Sequence, residues 1–175
     1  MQKAIKTQLK LNNKQKTLMA LHAGYSRWVG NWALRMWSEA TRIGLKPSAS
    51  KLKKFYPNHV KPRHLWQSQL SSRVYQFALM HLGEAFTRFF QGVAKHPKFK
   101  KKGHYDSFTL DHCGKAMTFS GKRLKLPFVG IASTYEPLPE LTIKRVTISR
   151  VADSWYLSIS SGTLRTGIGG SGVAG

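Results

Sequence analysis

Near His104 the spacing of apolar side chains changes period, and few folds accommodate that change. Upstream, Leu18, Leu21, Tyr25, Trp28, Val29, Trp32, Ala33, Met36, Trp37 and Ala40 recur at steps of three and four, the period of a helix with one buried face. Leu70, Val74, Phe77, Ala78, Leu82, Ala85, Phe86 and Phe89 repeat the pattern, which predicts a long helix over 67–91. Downstream, short runs predict strands instead. One covers 108–110. A hairpin joins 116–119 to 124–126 through the turn Ser120-Gly121-Lys122-Arg123, and a second joins 142–150 to 155–160 through Ala152-Asp153-Ser154.

One segment breaks this division. Ile5, Thr7, Leu9 and Leu11 alternate with Lys6, Gln8 and Lys10, a strand with one apolar and one basic face. A strand placed before the helices joins the downstream strands across them. The expected fold is α+β: a small antiparallel β-barrel of about five or six strands, with a helical lobe inserted between its first and second strands. Ile143, Ile148, Trp155, Leu157 and Ile159 would fill the barrel. The corresponding division is 1–11 for the first strand, 12–104 for the lobe, 105–161 for the rest of the barrel, and 162–175 for a flexible tail. Asn12 and Asn13 offer a helix N-cap. Gly24 is expected to split the first helical run, and Gly44 to end it, giving a helix-turn-helix-like pair. A connector punctuated by Pro47, Pro57 and Pro62 follows, with Lys51, Lys53 and Lys54 on one short turn. The stripe of Trp28, Trp32 and Trp37 suits a core better than a stacking platform.

Charge narrows the function. The chain holds 29 Lys+Arg against 7 Asp+Glu, a net charge of +22. Most of the excess lies before position 106, where Glu39 and Glu84 are the only acids. Such self-repulsion implies a polyanionic partner. A hydrophobic content of 41% excludes a disordered basic tail. A single cysteine excludes a disulfide framework and a zinc site of several thiolates. No apolar run of about 18 residues spans a membrane. The start Met1-Gln2-Lys3-Ala4-Ile5-Lys6 lacks an apolar leader segment, which predicts a cytoplasmic protein.

The segment from His96 to Gly103 is the densest candidate site. Lys98, Lys100, Lys101 and Lys102 in a loop can track phosphates, while Phe99 anchors the loop or stacks on a base. The plainer reading is a solvated charge run between domains. Lys6, Lys10 and Arg27 join the candidates, with Lys122 and Arg123 at the expected hairpin tip. Ser72 and Gln76 lie one helical turn apart and can face a partner together. Catalytic chemistry finds little support. The seven acids are scattered, whereas two-metal hydrolysis needs clustered carboxylates. Asp111-His112-Cys113 is the nearest approach to a ligand set, yet neighbouring strand residues point to opposite faces. Gly167-Ile168-Gly169-Gly170-Ser171-Gly172 has no following helix to hold a phosphate. No catalytic residue, metal or cofactor is expected.

The order of several pieces resembles the N-terminal half of the TnpB, or OrfB-type, transposases, RNA-guided nucleases of insertion sequences related to type V CRISPR effectors. The pieces are Lys3-Ala4-Ile5-Lys6 with Leu9, Arg27-Trp28-Val29-Gly30-Asn31-Trp32-Ala33-Leu34, Gln76-Phe77-Ala78-Leu79, and Ala85-Phe86-Thr87-Arg88-Phe89-Phe90. Pro97-Lys98-Phe99-Lys100-Lys101-Lys102, Ser107-Phe108-Thr109, Leu124-Lys125-Leu126-Pro127, and Val146-Thr147-Ile148-Ser149-Arg150 with Trp155-Tyr156 complete the series.

The resemblance implies a wedge-like barrel with an inserted helical recognition lobe. It implies binding of guide RNA and DNA, with Gln76, Ser72 and Thr109 at positions that read a short motif in duplex DNA. It also implies that the family's RuvC-like nuclease domain is missing, because Gly169 stands where that domain's first Asp is expected. A non-catalytic fragment follows, with a separate nuclease chain as a conceivable partner. A stand-alone RNA-binding regulatory module and a decayed gene product without selected function are the alternatives.

Overall fold

A computed structural model describes residues 5–111, 117–159 and 162–164. Strand β1 (Ile5–Lys10) leads into helices α1 (Asn13–Arg42), α2 (Ala49–His59) and α3 (Ser72–Phe90), with two 3-10 turns, Lys61–Arg63 and Leu65–Gln69, before α3. Strands β2 (Ser107–Asp111), β3 (Met117–Leu126), β4 (Gly130–Ile143), β5 (Arg145–Val151), β6 (Ser154–Ile159) and β7 (Gly162–Leu164) follow.

The sheet runs in the order β2-β5-β6-β1-β4-β3, with β7 on β4. The first strand is its bridge. Ile5 to Gln8 pair with β6, Ile5 opposite Ile159 and Thr7 opposite Leu157, and then Leu9 and Lys10 pair with Thr134 and Ser133 of β4. Thr7 and Leu9 are buried while Lys6 and Lys10 are exposed, as the alternation predicts. The architecture is α+β, with the helices inserted between the first and second strands. The sheet curls as a half-barrel, because β2 and β3 end the strand order without pairing each other among the described residues.

Three local expectations are corrected. Gly24 does not divide the first helix, which runs unbroken for 30 residues. An interior glycine costs only about 1 kcal/mol relative to alanine. The buried stripe of Met19, Ala23, Tyr25, Val29 and Ala33 offsets more than that. The turn comes at Gly44, whose φ of 84° suits glycine. At the other end Asn12 forms a capping box, accepting from the Gln15 amide at 2.8 Å while its own amide donates to Gln15 Oε1 at 3.1 Å. The last helix starts at Ser72, later than expected, capped by Ser71.

The turn expected at Ser120 to Arg123 is a stretch of strand. β3 passes through it and pairs with β4, with register irregularities on both sides of Gly121. Met117 and Phe119 face inward at odd positions, whereas Leu124 and Leu126 do so at even ones. One slip of phase is needed to bury both pairs, and a bulge supplies it. The true turn lies at 127–129. Pro137 and Pro139 sit in β4 beside Leu138, which pairs with Gly121 at that bulge. The β5–β6 hairpin forms as expected, turning at Ala152 with a φ of 54°.

One continuous core joins lobe and sheet. Trp37 stacks on Phe86 with ring centroids 4.3 Å apart, and Tyr56 on Tyr75 at 4.7 Å. His22, fully buried, stacks on Phe108 of β2 at 5.4 Å. Its Nδ1 lies 2.7 Å from the Leu18 carbonyl, and the Ser71 amide donates to Nε2 at 3.3 Å. Only the neutral ring with its proton on Nδ1 satisfies both contacts. Burial lowers the His22 pKa accordingly.

Candidate nucleic-acid interface

The lysine loop is held at its centre and at its far end by contacts that leave Lys98, Lys101 and Lys102 exposed. At its centre Asn31 of α1 grips the Lys100 backbone twice, donating to its carbonyl at 2.9 Å and accepting from its amide at 2.8 Å. At its end Asp106 is a buried junction. Its Oδ1 accepts from Arg27 of α1 at 3.0 Å and from the Gly103 amide at 3.2 Å. Its Oδ2 meets Arg150 of β5, and its carbonyl accepts from the Arg150 amide at 2.9 Å. Arg27, expected at a phosphate, is thus engaged in joining the lobe to the sheet.

Cations divide into two populations. Arg27, Arg42, Arg73 and Arg150 form the ion pairs of the described residues, sharing Glu39, Asp106 and Asp111. No described lysine has an ion pair. Lys98, Lys101 and Lys102 are exposed. Lys100 keeps exposed surface too, but its ammonium lies close enough to the protein that desolvation lowers its pKa.

Three hollows gather the candidates. Lys98, Lys100 and Thr109 line a cavity of about 270 Å³ between α1, α3, the loop and β2. Thr109 forms part of its wall but is buried, its hydroxyl 3.0 Å from that of Thr147. Gln76 accepts from Arg73 Nη1 at 3.2 Å, and Arg73 Nε reaches Asp111 of β2 at 3.2 Å. Ser72 is half-buried in the first turn of α3. Neither Gln76 nor Ser72 lines the cavity of Thr109. Lys10, Lys122 and Arg123 meet in a second hollow of about 640 Å³ with Gln15 and Tyr135. Lys122 and Arg123 therefore lie on the bulged middle of β3, not at a hairpin tip. Lys6 stands apart, its ammonium 5.1 Å from the Tyr156 ring. A third hollow, about 650 Å³, lies along α1 and includes Arg27, Trp28, Trp66, Phe99 and Lys102. Trp32 and Trp37 are core residues at 8% exposure each, and Trp28 is partly buried against the same core.

Asn31 and Asp106 escaped the sequence reading. Asp106 left one signal, as the first acid after the lysine run; Asn31 left none. Among the described residues no three His, Cys, Asp or Glu side chains gather as metal ligands. Asp111 pairs with Arg73, while His112 and Cys113 lie outside the described residues, as does the glycine-rich segment after 164. Among the described residues no helix is long and apolar enough to cross a membrane.

Residues 1–45 match the helix-turn-helix domain of OrfB insertion-sequence proteins. Across 165 residues, 90% of this chain, the sequence is 31% identical to InsQ of Escherichia coli (strain K12), provisionally named an RNA-guided DNA endonuclease. Over these spans the chain is similar to OrfB/TnpB-type proteins. It spans 40% of the length of InsQ. The matched 1–45 region contains β1 and the whole of the single helix α1, together with the Gly44 turn.

Proposed function

We propose that this chain is a nucleic-acid-binding, non-catalytic part of a TnpB-type transposase, holding guide-like RNA, target DNA or both on its basic surface. The lysine loop supports this reading most directly: four lysines pinned by Asn31 and Asp106 with no acid to neutralise them. A surface so charged loses free energy to self-repulsion unless phosphates arrive. Lys10, Lys122 and Arg123 add a second cationic cluster on the half-barrel. The name of InsQ, with its RNA guide and DNA target, supports the same choice of partner. Cleavage would belong to residues other than these, in the same protein or in a separate chain.

The test is binding of labelled RNA and DNA across a salt series. With six to ten phosphate contacts, affinity falls by about 10³–10⁵ between 50 and 200 mM salt. A flat response overturns the reading. Binding of RNA alone, with no affinity for DNA, favours the regulatory RNA-binding alternative. Metal-dependent cutting by the pure chain overturns the non-catalytic assignment.

A further inference from the structure

The hollow along α1 has a chemistry that the lysine loop alone does not explain. Trp66 and Phe99 project into it at 42% and 59% exposure. Tyr25 and Trp28 meet Trp66 edge-on, at 5.6 Å and 75°, and 6.1 Å and 86°. No described ring lies parallel to Trp66, and Phe99 has no aromatic partner among the described residues. Arg35 and Lys102 stand at the rim, both exposed and without an ion pair, and no acid lines the hollow. Its floor includes Gly24, in mid-helix. A Cβ there would meet only Arg27 Nη2, at 3.6 Å, which is ordinary contact. The protein's own packing therefore gives no reason for a residue that weakens the helix, whereas close approach of a ligand does.

We propose that this hollow takes an unpaired base of a single-stranded nucleic acid, stacked on Trp66 or Phe99 above Gly24, with flanking phosphates at Arg35 and Lys102. The proposal rests on the nucleic-acid reading above and sharpens it. Exposed aromatic faces beside cations bind any base that offers its own face. A base inside a duplex is already stacked on both sides and has none to offer.

The experiment compares a labelled mixed-sequence single strand with the same strand in duplex form, titrated with the full chain across a salt series. Phe99→Ala should lower single-strand affinity about tenfold, leaving duplex affinity and the salt slope unchanged. Gly24→Leu should fill the hollow, cause the same loss, and keep or raise the melting temperature, because leucine is a far better helix former. Unchanged single-strand binding in both variants, beside wild-type binding that remains salt-dependent, overturns the stacking site and leaves the nucleic-acid reading standing. Equal loss for single strand and duplex also overturns stacking. Absence of salt-dependent binding to either form by the wild-type chain overturns both.

Discussion

The lysine loop and the Asp106 junction are sequence neighbours with opposite electrostatics. At the junction one buried carboxylate takes two arginines from different elements and the Gly103 amide, while the Asp106 carbonyl takes the Arg150 amide. In the loop four lysines have no acid at all. The first arrangement belongs to the fold, because desolvated charges must be paired. The second lies in water, where unpaired lysines cost the fold little, and is available to a partner. Net charge alone does not separate these roles; burial and pairing do.

The comparison breaks most visibly at the loop. Replacing Lys98, Lys100, Lys101 and Lys102 together by Gln should weaken nucleic-acid binding by about 10²–10³-fold near 150 mM salt and flatten the log–log salt slope by about 3 to 4. The denaturation midpoint should hold or rise as self-repulsion falls. Asp106→Asn reverses the pattern. It strands Arg27 and Arg150, whose side chains are 22% and 30% exposed. Full burial would make the loss about 3–5 kcal/mol, and partial solvation of the arginines brings it to about 2–3 kcal/mol. Urea denaturation reads the loss, and binding by the still-folded fraction should keep its salt slope. If the Gln variant unfolds while Asp106→Asn does not, the division of roles is wrong.

Asn31→Ala tests the contact that links the two regions. Both of its hydrogen bonds to Lys100 disappear, for about 1–2 kcal/mol of stability. The freed loop must then be ordered on binding, so affinity should fall severalfold with the salt slope intact. A changed slope would mean that Asn31 moves the lysines away from phosphate altogether.

Much of this was legible from the chain alone, and the rest failed for identifiable reasons. Period separated the helical half from the strand half, placed β1 in the downstream sheet, and found the β5–β6 hairpin, but α2 was read as a connector with one short turn because Pro47, Pro57 and Pro62 punctuate it. It misjudged Gly24 because a local breaker signal was weighed without the buried stripe on both sides of it. Gly121 misled in the same way: the phase slip between Phe119 and Leu124 becomes visible only once β4 is the partner, and the prolines of β4 concealed that strand. Within the candidate site, the lysines were readable as charge. Arg27 was not separable from them, since its Asp106 partner lies 79 positions away. Asn31 acts 69 positions away on a backbone, which no motif encodes.

The smallest expected effect concerns the histidine that locks the lobe. Protonating His22 would turn Nε2 from acceptor to donor, facing the Ser71 amide that now donates to it. Burial already lowers its pKa from 6.5. In the unfolded chain the ring titrates at its ordinary value, so the unfolded state takes up the proton first as pH falls. The contribution of His22 is therefore fully present above pH 6.5 and is lost as pH drops toward its folded pKa. His81 acts in the same direction, its pKa also lowered chiefly by desolvation. Denaturation midpoints should stay level from about pH 8 to 7 and decline from 6.5 toward 5. His22→Gln supplies a neutral acceptor at some cost in packing and should flatten that decline without abolishing it, His81 carrying the remainder. A variant declining as steeply as wild type would transfer the pH sensitivity from the lobe's core to its surface, next to the lysine loop and its partner.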